Sequence, residues 1–598
     1  MIATTKYDLL ADISTPGSAT VRFLLPTLAA FVTHALVQRS EPYGHRAVGG
    51  QILLILIVSR FIHEHWSYTI LRSFATSLQM LGVFWVVIST SMVIYRLFFH
   101  QMCKFPGPLW ARISMWFWVP IEMKGHRHLV IPALHKKYGP VVRIGPNHLS
   151  IDDPDAIPLV YGMNTVKGPW YLAQALVPGV YSLQNEPTHA SHSARRRLWD
   201  PAFTVKAVRG YEKLIFESRQ DLMDHFDEAI ESSDQQGRLD LRESMLFFGF
   251  DTMSKLGFGR CFDLLSKPDN RHLVEKVELV PRVITTIGNV PYIMSLLRYL
   301  GNPLREVRAW ILAALDWRLA RIGESEYDHA DVFAYLTGEQ VAKKGVKAIH
   351  ERETLFQDAQ LLVVAGSDTT ANTMTNMIFE LTRQPELYKR LQKEMLSIFP
   401  EGTEPDDLDL VRDKAVLLKA CIHESMRLWP VVPTGLARTV IRPFNLPTGE
   451  YMHMGACVSL NAWTLHHDER NFARPNEFLP DRWIDEDGNL NIEAKRSGEA
   501  KVEGAATEKQ QQHGDDTPAK NKYEPHNTKA FIPFSVGPTS CVGKNVAWAE
   551  LRAVMSSFLL RYDVEMTDKD YQMYQRGFED HFVSANGPCW VTLKPRKQ

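Results

Sequence analysis

The sequence has few cysteines and almost no net charge, and its cysteines do not have the close spacing of a metal-binding motif. Its six cysteines are scattered over 598 residues and no two form a C-x-x-C pair, which excludes zinc-ribbon and iron–sulfur spacings. Sparse, unpaired cysteine is typical of a reducing compartment such as the cytosol. The net charge is −1, so no global positive field indicates nucleic-acid binding.

Two further absences narrow the class of protein. No dinucleotide fingerprint and no flavin domain is visible, so electrons for any redox chemistry must come from a separate protein. After Tyr95 no uncharged run matches residues 73–95 in length, which argues against a membrane transporter. The length suits one large domain with an appendage.

The N-terminal hundred residues contain three apolar runs, at 23–38, 48–59 and 73–95. The third has no charged residue and is predicted to be a transmembrane helix. The first two are short for a span and could be spans, interfacial helices or buried core. Basic residues after the third run, beginning with Arg96 and Lys104, predict that the remainder faces the cytoplasm. We therefore divide the chain into a membrane-anchor region, 1–99, and a globular domain, 100–598.

One cysteine lies on a glycine-flanked loop directly ahead of a helical run at 544–560. Phe534, Gly537 and Gly543 surround Cys541, and the two glycines would allow a tight turn and close approach of a flat ligand. A helix N-terminus favours a thiolate, which suits a ligand to iron. A buried structural cysteine is the alternative.

A cluster of basic residues follows an apolar loop at 162–187. His192 and Arg196 are four residues apart and share one face of a helix. They could clamp a carboxylate, or they could form a solvated basic turn.

A continuous helical pattern from 353 to 382 concentrates poor helix formers in its middle, around Gly366, Asp368 and Thr369. Such a segment accommodates a ligand or a local distortion. Asp368 and Thr369 carry the carboxyl and hydroxyl that proton delivery requires. The alternative is a kinked core helix.

Glu424 and Arg427 have the E-x-x-R spacing, and Arg482 follows later in a Pro-Asp-Arg-Trp segment. Together they predict a buried charge triad. Glu380 and Arg383 have the same spacing and are interpreted as a surface pair. Residues 485–529 are polar and charged and are predicted to be a disordered surface insert.

Taken together, these motifs resemble the cytochrome P-450 family of haem-thiolate monooxygenases, especially its membrane-bound fungal members. The likeness runs from about residue 95 to the C-terminus. The residues that carry it are Tyr95 to His100, Phe105-Pro106-Gly107-Pro108, Gly139 to Asn147, Ala365-Gly366-x-Asp368-Thr369-Thr370, Glu424-x-x-Arg427, Phe478-x-Pro480-Asp481-Arg482-Trp483 and Phe534-x-x-Gly537-x-x-x-Cys541-x-Gly543.

The resemblance implies a mostly α-helical fold with a small β component, anchored by N-terminal transmembrane helices. It implies that Cys541 is the axial ligand of haem b (iron protoporphyrin IX), within a loop that includes Phe534, Gly537 and Gly543. It also implies that Asp368 and Thr369 are the acid–alcohol pair that delivers protons.

Further roles follow from the same likeness. His192, Arg196 and Arg438 resemble the haem-propionate partners, and Glu424, Arg427 and Arg482 resemble the charge triad. By position, 162–187, the helix face around Leu362 and Ala365, 432–436 and 578–584 would line the substrate pocket. One departure is Thr539, where the family usually has Arg or His in contact with a propionate.

The implied activity inserts one oxygen atom from O₂ into a lipophilic small molecule, as a tailoring step in fungal secondary metabolism. The implied partners are NADPH–cytochrome P-450 reductase, with cytochrome b5 as a second candidate, and membrane lipid, at the endoplasmic reticulum. A haem-thiolate isomerase or dehydratase and a haem-binding protein without turnover remain alternatives. The intact Asp368-Thr369 pair disfavours the first of these.

Overall fold

The chain divides into two compact units. The computed structural model describes residues 19–37, 44–173, 179–290, 305–322, 331–339, 349, 351–492 and 523–596. The first unit comprises Met1–Val119, Val142–His148 and Ile287–Pro303, and the second comprises the rest of the chain.

The first unit is built mainly from three long N-terminal helices followed by short turns. Its elements are α1 (Ala19–Val37), α2 (Gly44–His65), α3 (Ile70–Ile94), a π-helical turn (Tyr95–Phe99), α4 (Leu109–Ile113), a 3₁₀ turn (Met115–Trp118) and most of strand β1 (Val141–Gly145).

All three long helices are long and apolar enough to cross a membrane, over Ala19–Val37, Ala47–His65 and Ile70–Phe99. The helix predicted at 73–95 is confirmed, and the two shorter runs belong to helices that extend beyond them. Hydroxyl groups connect these helices. Ser59 donates to Ser77 at 3.0 Å, and His34 Nδ1 lies 2.6 Å from Ser91 Oγ. Such polar contacts are typical of helices packed together within a membrane.

The second unit is mostly helical, as predicted. Its helices are α5 (Val119–Met123), α6 (Arg127–Tyr138), α7 (Ile157–Val160), α8 (Pro169–Ala173), α9 (His189–Ala202), α10 (Val205–Glu231), α11 (Leu241–Phe258), α12 (Arg271–Gly288), α13 (Arg305–Leu319), α14 (Val332–Leu336), α15 (Arg352–Thr382), α16 (Pro385–Ile398), α17 (Leu408–Lys414), α18 (Val416–Leu428), α19 (Ala462–His466), α20 (Lys544–Arg561) and α21 (Asp568–Arg576).

The central helix α15 positions the site. Most residues in its two ends are buried, and α11 packs along it closely. A Cβ at Gly249 would lie 2.7 Å from the Ser367 carbonyl oxygen, and one at Gly257 would lie 2.6 Å from Leu362. The glycines therefore let the two helices approach almost backbone to backbone.

The β component is small. Its strands are β2 (His148–Ile151), β3 (Thr165–Lys167), β4 (Arg238–Asp240), β5 (Arg438–Val440), β6 (Phe444–Asn445), β7 (Tyr451–Met452), β8 (Cys457–Leu460), β9 (Tyr562–Glu565), β10 (Glu579–His581), β11 (Val583–Ala585) and β12 (Trp590–Pro595). In the main sheet β2, β8, β5 and β3 are adjacent in that order. Strand β3 pairs antiparallel with β5, so that Thr165 faces Val440.

Two predictions of irregular structure need correction. The loop predicted at 162–187 contains β3 and α8, because β3 finds its partner strand far away in the sequence. The ends of the predicted insert are ordered: Asp485 N–H donates to Asn489 at 2.8 Å, and Asn527 N–H donates to Asn471 at 2.7 Å. The central part of the insert, 493–522, and residues 174–178 lie outside the described residues.

Candidate active site

The loop that carries Cys541 is closed by its own backbone. Cys541 N–H donates to the Phe534 carbonyl oxygen at 2.9 Å, and Ser540 N–H donates to Gly537 at 3.1 Å. Helix α20 begins at Lys544, as its helical pattern predicted. The thiol is thus held three residues before a helix N-terminus.

The two glycines of this loop differ in backbone conformation. Gly537 has φ of 75°, and a Cβ there would lie 2.3 Å from the Tyr161 carbonyl oxygen. Gly543 has φ of −77°, which any residue adopts. The prediction that Gly543 permits the turn is therefore wrong. Ser535, at φ 54°, shares the strained turn with Gly537.

The surroundings of Cys541 are unusual for a surface thiol. The residue is exposed, yet the surrounding protein desolvates the thiol and raises its pKa above the usual value. The N–H groups of Gly543 and Lys544 and the charge of Arg196 act in the opposite direction. Cys541 is therefore accessible to a ligand, although protein atoms surround it. A bound metal ion would remove its proton.

Helix α9 brings His192 and Arg196 onto one face, as their spacing predicted. His192 is buried. Arg196 forms an ion pair with Asp200, and its Nη1 donates to the Ser540 carbonyl oxygen at 2.6 Å. A basic side chain from α9 therefore contacts the residue immediately before Cys541.

Sequence reasoning did not assign Lys167 to this site. Lys167 of β3 lies directly opposite Arg438 of β5 in the antiparallel ladder. Arg438 is 3% exposed, and its Nη2 donates to the Thr539 hydroxyl. Like charges directly opposite one another in a sheet are destabilising, so a bound anion would stabilise this pairing. Lys167 Nζ also donates to the carbonyl oxygens of Leu183, at 3.2 Å, and of Gln184.

We refer to Lys167, His192, Arg196 and Arg438 as the cation cluster. Desolvation, together with the neighbouring positive charges, lowers the pKa of His192 to about 3 and that of Lys167 to about 7. Among the described residues no carboxylate forms an ion pair with Lys167 or Arg438, and Arg438 Nε is buried without a hydrogen-bond partner. The cluster is therefore short of negative charge.

The middle of α15 is also accessible at one turn. Ala365 is exposed although most of the helix on either side is buried. Thr369 Oγ1 donates to the Ala365 carbonyl oxygen at 2.8 Å, and the helix continues unbroken to Thr382. Leu362, predicted to face the pocket with Ala365, is buried instead against Gly257 of α11.

The Asp368 carboxyl group turns along the helix and accepts a hydrogen bond from Asn372 Nδ2 at 3.1 Å. Burial raises its pKa to about 6, although the charge of Arg242 and this hydrogen bond oppose the change. Asp368 can therefore gain and lose a proton near neutral pH. No described hydrogen bond joins Asp368 or Thr369 directly to the Cys541 loop.

A buried carboxyl group that sequence reasoning missed connects α20 to the central helix. Glu550 is 1% exposed, and burial raises its pKa to about 8 although Thr370 hydrogen-bonds to it. The one signal in the sequence that could have indicated it is an acidic residue on an otherwise apolar helix face.

Glu424, Arg427 and Arg482 lie in contact, and all three side chains are fully buried. Arg427 Nη2 lies 2.8 Å from Glu424, and Arg482 Nε lies 3.1 Å from it. Burial opposes ionisation of Glu424, but the two arginines outweigh it and its pKa is lowered. We call these three residues the brace.

The interpretation of Glu380 and Arg383 as a surface pair is wrong. Glu380 is buried and accepts a hydrogen bond from Trp429 Nε1 at 2.8 Å. Arg383 instead pairs with Asp568. Burial raises the pKa of Glu380 to about 7, because the apolar core around α15 surrounds it.

Three predicted pocket segments contact each other or the central helix. The Thr434 hydroxyl donates to Asp580 at 2.6 Å, which joins 432–436 to the β10–β11 hairpin. At the hairpin turn Phe582 has φ of 74°, and its ring lies 4.6 Å from that of Trp170. Asn372 Nδ2 donates to Ser584 at 2.8 Å and ties the hairpin to α15.

These features fit a flat, dianionic cofactor with a metal at its centre. An accessible thiol could bind the metal, and the unbalanced cation cluster could bind two carboxylates. The exposed turn at Ala365 leaves space on the helix side. The fold and the site thus define a haem-thiolate protein.

Comparison with known proteins identifies the family. The model of the family "Cytochrome P450" matches residues 105–589, and the chain belongs to that family. The chain is 32% identical over 544 residues to the monooxygenase FCK2 of Fusarium pseudograminearum, covering 89% of each. It is 27% identical over 513 residues to tryprostatin B 6-hydroxylase of Neosartorya fischeri, covering 85% of each.

A solved structure supports the fold. The haem domain of cytochrome P450DA superimposes with a TM-score of 0.61 at 16% identity, covering 79% of this chain and 92% of that one. The predicted fold and the predicted class, a haem-thiolate monooxygenase, are confirmed. The family implies a haem-iron cofactor, a redox partner and a small-molecule substrate.

Proposed function

We propose that the chain binds haem b through Cys541 and the cation cluster and inserts one oxygen atom from O₂ into a lipophilic small molecule. One observation carries the proposal. Arg438 and Arg196 contact Thr539 and Ser540, the two residues before Cys541. The side chains that would bind an anion therefore contact the loop whose sulfur would bind the metal.

Thr539 fits this assignment despite its departure from the family pattern. Its hydroxyl accepts a hydrogen bond from Arg438 and so helps to fix the arginine. The positive charge missing at position 539 is replaced by Lys167, which stands opposite Arg438 in the sheet. We assign Lys167, His192, Arg196 and Arg438 to the two propionates. The two arginines and protonated Lys167 would balance the two carboxylates, and His192, which is neutral because its pKa is about 3, would donate a hydrogen bond.

When bound, a thiolate-ligated haem supplies the oxygen-activating chemistry. The side chains of the protein would hold the cofactor in place and deliver protons. Asp368, whose pKa lies near 6, would release a proton toward the oxygen side, and the hydroxyl of Thr369 would orient it. Because Thr369 Oγ1 already bonds to Ala365, its hydroxyl lies on the face of the helix where the space opens.

The substrate pocket would lie between the hairpin turn and the segment after β3. Trp170 and Phe582 provide aromatic surface there, which suits a lipophilic substrate. The positive φ of Phe582 is a strained conformation of the kind that occurs at ligand sites. We propose a tailoring step in fungal secondary metabolism, because the similar protein of Neosartorya fischeri is named as a hydroxylase of tryprostatin B.

We place the chain in the endoplasmic reticulum membrane with its catalytic unit in the cytoplasm. The three apolar helices and the basic residues that follow them support this orientation. Electrons would come from NADPH–cytochrome P-450 reductase, with cytochrome b5 as a second donor.

The test is Cys541→Ser in the full-length chain produced with added haem. The variant should lose the reduced-CO absorbance band of a thiolate-ligated haem, because a hydroxyl does not replace a thiolate ligand. Cys457→Ser is the matched control, since Cys457 lies in strand β8 and is not part of the Cys541 loop, and it should keep the band. Retention of the band by Cys541→Ser would refute the ligand assignment.

A further inference from the structure

A line of polar side chains runs through the core along the central helix. Asp368, Asn372 and Asn376 are spaced by four residues and lie on one face of α15. Asn372 is 1% exposed and Asn376 is fully buried. Burying an amide destabilises the fold unless hydrogen bonds compensate for the lost contact with water, so two buried amides on one helix face indicate a polar role.

The inner part of this line is continuous. Asn372 Nδ2 donates to Asp368 Oδ1 at 3.1 Å and to the Ser584 carbonyl oxygen at 2.8 Å. The amide thus joins the Asp368 carboxyl group to the β10–β11 hairpin.

One helical turn further on, Asn376 forms a second group with Tyr574 and Asn586. Asn376 Oδ1 accepts from the Tyr574 hydroxyl at 2.7 Å and from Asn586 Nδ2 at 3.0 Å. Asn586 Nδ2 also lies 2.7 Å from the Tyr574 hydroxyl oxygen. These three side chains are at most 6% exposed.

Three polar atoms of these residues and of Ser584 have no hydrogen-bond partner in the part of the chain that the structure describes. They are Asn376 Nδ2, Asn586 Oδ1 and Ser584 Oγ, and all three residues are more than nine-tenths buried. Buried polar atoms in folded proteins are satisfied by protein or by ordered water. Two donors and an acceptor left unsatisfied in these adjoining residues are the kind and number of partners, two to four, that internal water needs.

The outer end of the line lies near a charged cleft at the start of α11. The cleft has a volume of about 180 Å³ and is lined by Asp240, Arg242, Glu243, Arg271, Glu275 and Glu278 together with apolar residues. Glu243 and Glu275 are exposed, so solvent protons reach it.

Two observations connect this cleft to the line. Helix α11 runs antiparallel to α15, because Gly257 lies beside Leu362 and Gly249 lies beside Ser367. Arg242 lies two helical turns before Gly249. It is therefore expected beside the turn of α15 that precedes Asn376. The positive charge of Arg242 also reaches both Asp368 and Tyr574, where it opposes the rise of pKa that burial causes.

We propose that Asn372, Asn376, Tyr574 and Asn586 hold internal water that carries protons from the cleft beside Arg242 to the Asp368 carboxyl group. Only O–H bonds change: each proton that leaves Asp368 is replaced by one from solvent, and no electron moves. The amides do not ionise and act by orienting water. This inference rests on the proposed role of Asp368 as proton donor.

The test uses two substitutions of one residue with opposite effects on water. Asn376→Leu fills the gap with apolar atoms, whereas Asn376→Ser leaves room for more water. Both remove the hydrogen bonds of Asn376, so a structural role alone would affect them equally. Thr375→Val is the matched control, because Thr375 is buried on the same helix and its hydroxyl bonds only within it, to Ala371.

The measurement is the hydrogen–deuterium exchange rate of the Asp368 carboxylic acid in the full-length, haem-loaded resting protein at about pH 5, below the pKa of about 6. Infrared difference spectra against Asp368→Asn identify the band. Exchange should slow at least about tenfold in Asn376→Leu, equivalent to about 1.4 kcal/mol, and stay at the wild-type rate in Asn376→Ser and Thr375→Val. Tyr574→Phe, which removes one hydroxyl, should slow it less.

Equal exchange rates in the Leu and Ser variants would overturn the proposal, as would wild-type rates in both Asn376→Leu and Tyr574→Phe. If Asn376→Leu does not fold, Tyr574→Phe decides alone. The readout needs no turnover and is therefore separate from the proposed function. The proposed role of Asp368 as proton donor fails instead if Asp368→Asn forms product at the wild-type rate.

Discussion

The brace and the cation cluster are both made of buried charges, but the protein satisfies them differently. Arg427 donates to Glu424 and to three carbonyl oxygens, those of His466, Pro475 and Glu477. Arg438 has one described side-chain hydrogen bond, to Thr539, and its Nε has none. Charges that the protein saturates hold the fold together, whereas charges that it leaves unbalanced are available to a ligand.

The largest effect should come from breaking the brace. Glu424→Gln leaves Arg427 and Arg482 buried without a counter-charge, which should cost about 3–5 kcal/mol in the free energy of unfolding. Chemical denaturation monitored by tryptophan fluorescence measures it. Glu386→Gln removes a carboxylate from an exposed pair with Lys389 and should change stability by no more than about 0.5 kcal/mol. Equal stabilities would refute the structural role of the brace.

Removing a charge from the cation cluster should weaken ligand binding and leave folding nearly intact. Lys167→Met removes one of two cations that face each other, but it also removes the hydrogen bonds from Lys167 Nζ to the Leu183 and Gln184 carbonyl oxygens. The loss of stability in the haem-free chain should therefore stay within about 2 kcal/mol. Haem should be lost to an acceptor protein about tenfold faster, since a hydrogen bond to a charged group contributes about 1.5–3 kcal/mol. Lys389→Met, an exposed substitution, is the control.

The pH dependence of haem affinity gives a second test of Lys167, again with the variant Lys167→Met. Desolvation and Arg438 lower the pKa of Lys167 to about 7, and a bound anion raises it again. Haem affinity is therefore highest below this pKa and falls as pH rises through 7 and above. Lys167→Met should lack this dependence. A pH-independent affinity in the wild type would remove Lys167 from the cofactor site.

The smallest change in structure should come at the central helix. Thr369→Ala removes a hydroxyl that bonds only to Ala365 among the described contacts, so haem binding and stability should be unchanged. Product formation should fall by on the order of tenfold or more while NADPH is still consumed, because proton delivery loses a positioned group. Product per NADPH, measured with a reductase, tests this, and an unchanged ratio would exclude Thr369 from the mechanism.

What the sequence predicted well lies within single elements. The placement of His192 and Arg196 on one face of α9 and the contact of Glu424 with Arg427 follow from helical spacing. The position of Cys541 directly ahead of a helix is confirmed, whereas its role as a ligand stays a prediction. The Pro-Asp-Arg-Trp motif correctly predicted Arg482 as the third residue of the brace.

What the sequence could not predict depends on contacts between distant segments. Lys167 enters the cation cluster only because β3 pairs with β5 in the register that opposes it to Arg438. Asn376 meets Tyr574 only through the packing of α15 against the C-terminal segment. For the same reason Glu380 was misread: its spacing from Arg383 says nothing about the core that buries it.

The most direct test of the account is the haem content of the full-length chain purified from cells supplied with haem. We predict one haem iron per chain and, after reduction under CO, the absorbance band of a thiolate ligand. A folded chain that is colourless and free of iron would contradict the assignment of Cys541 and the cation cluster to a haem site.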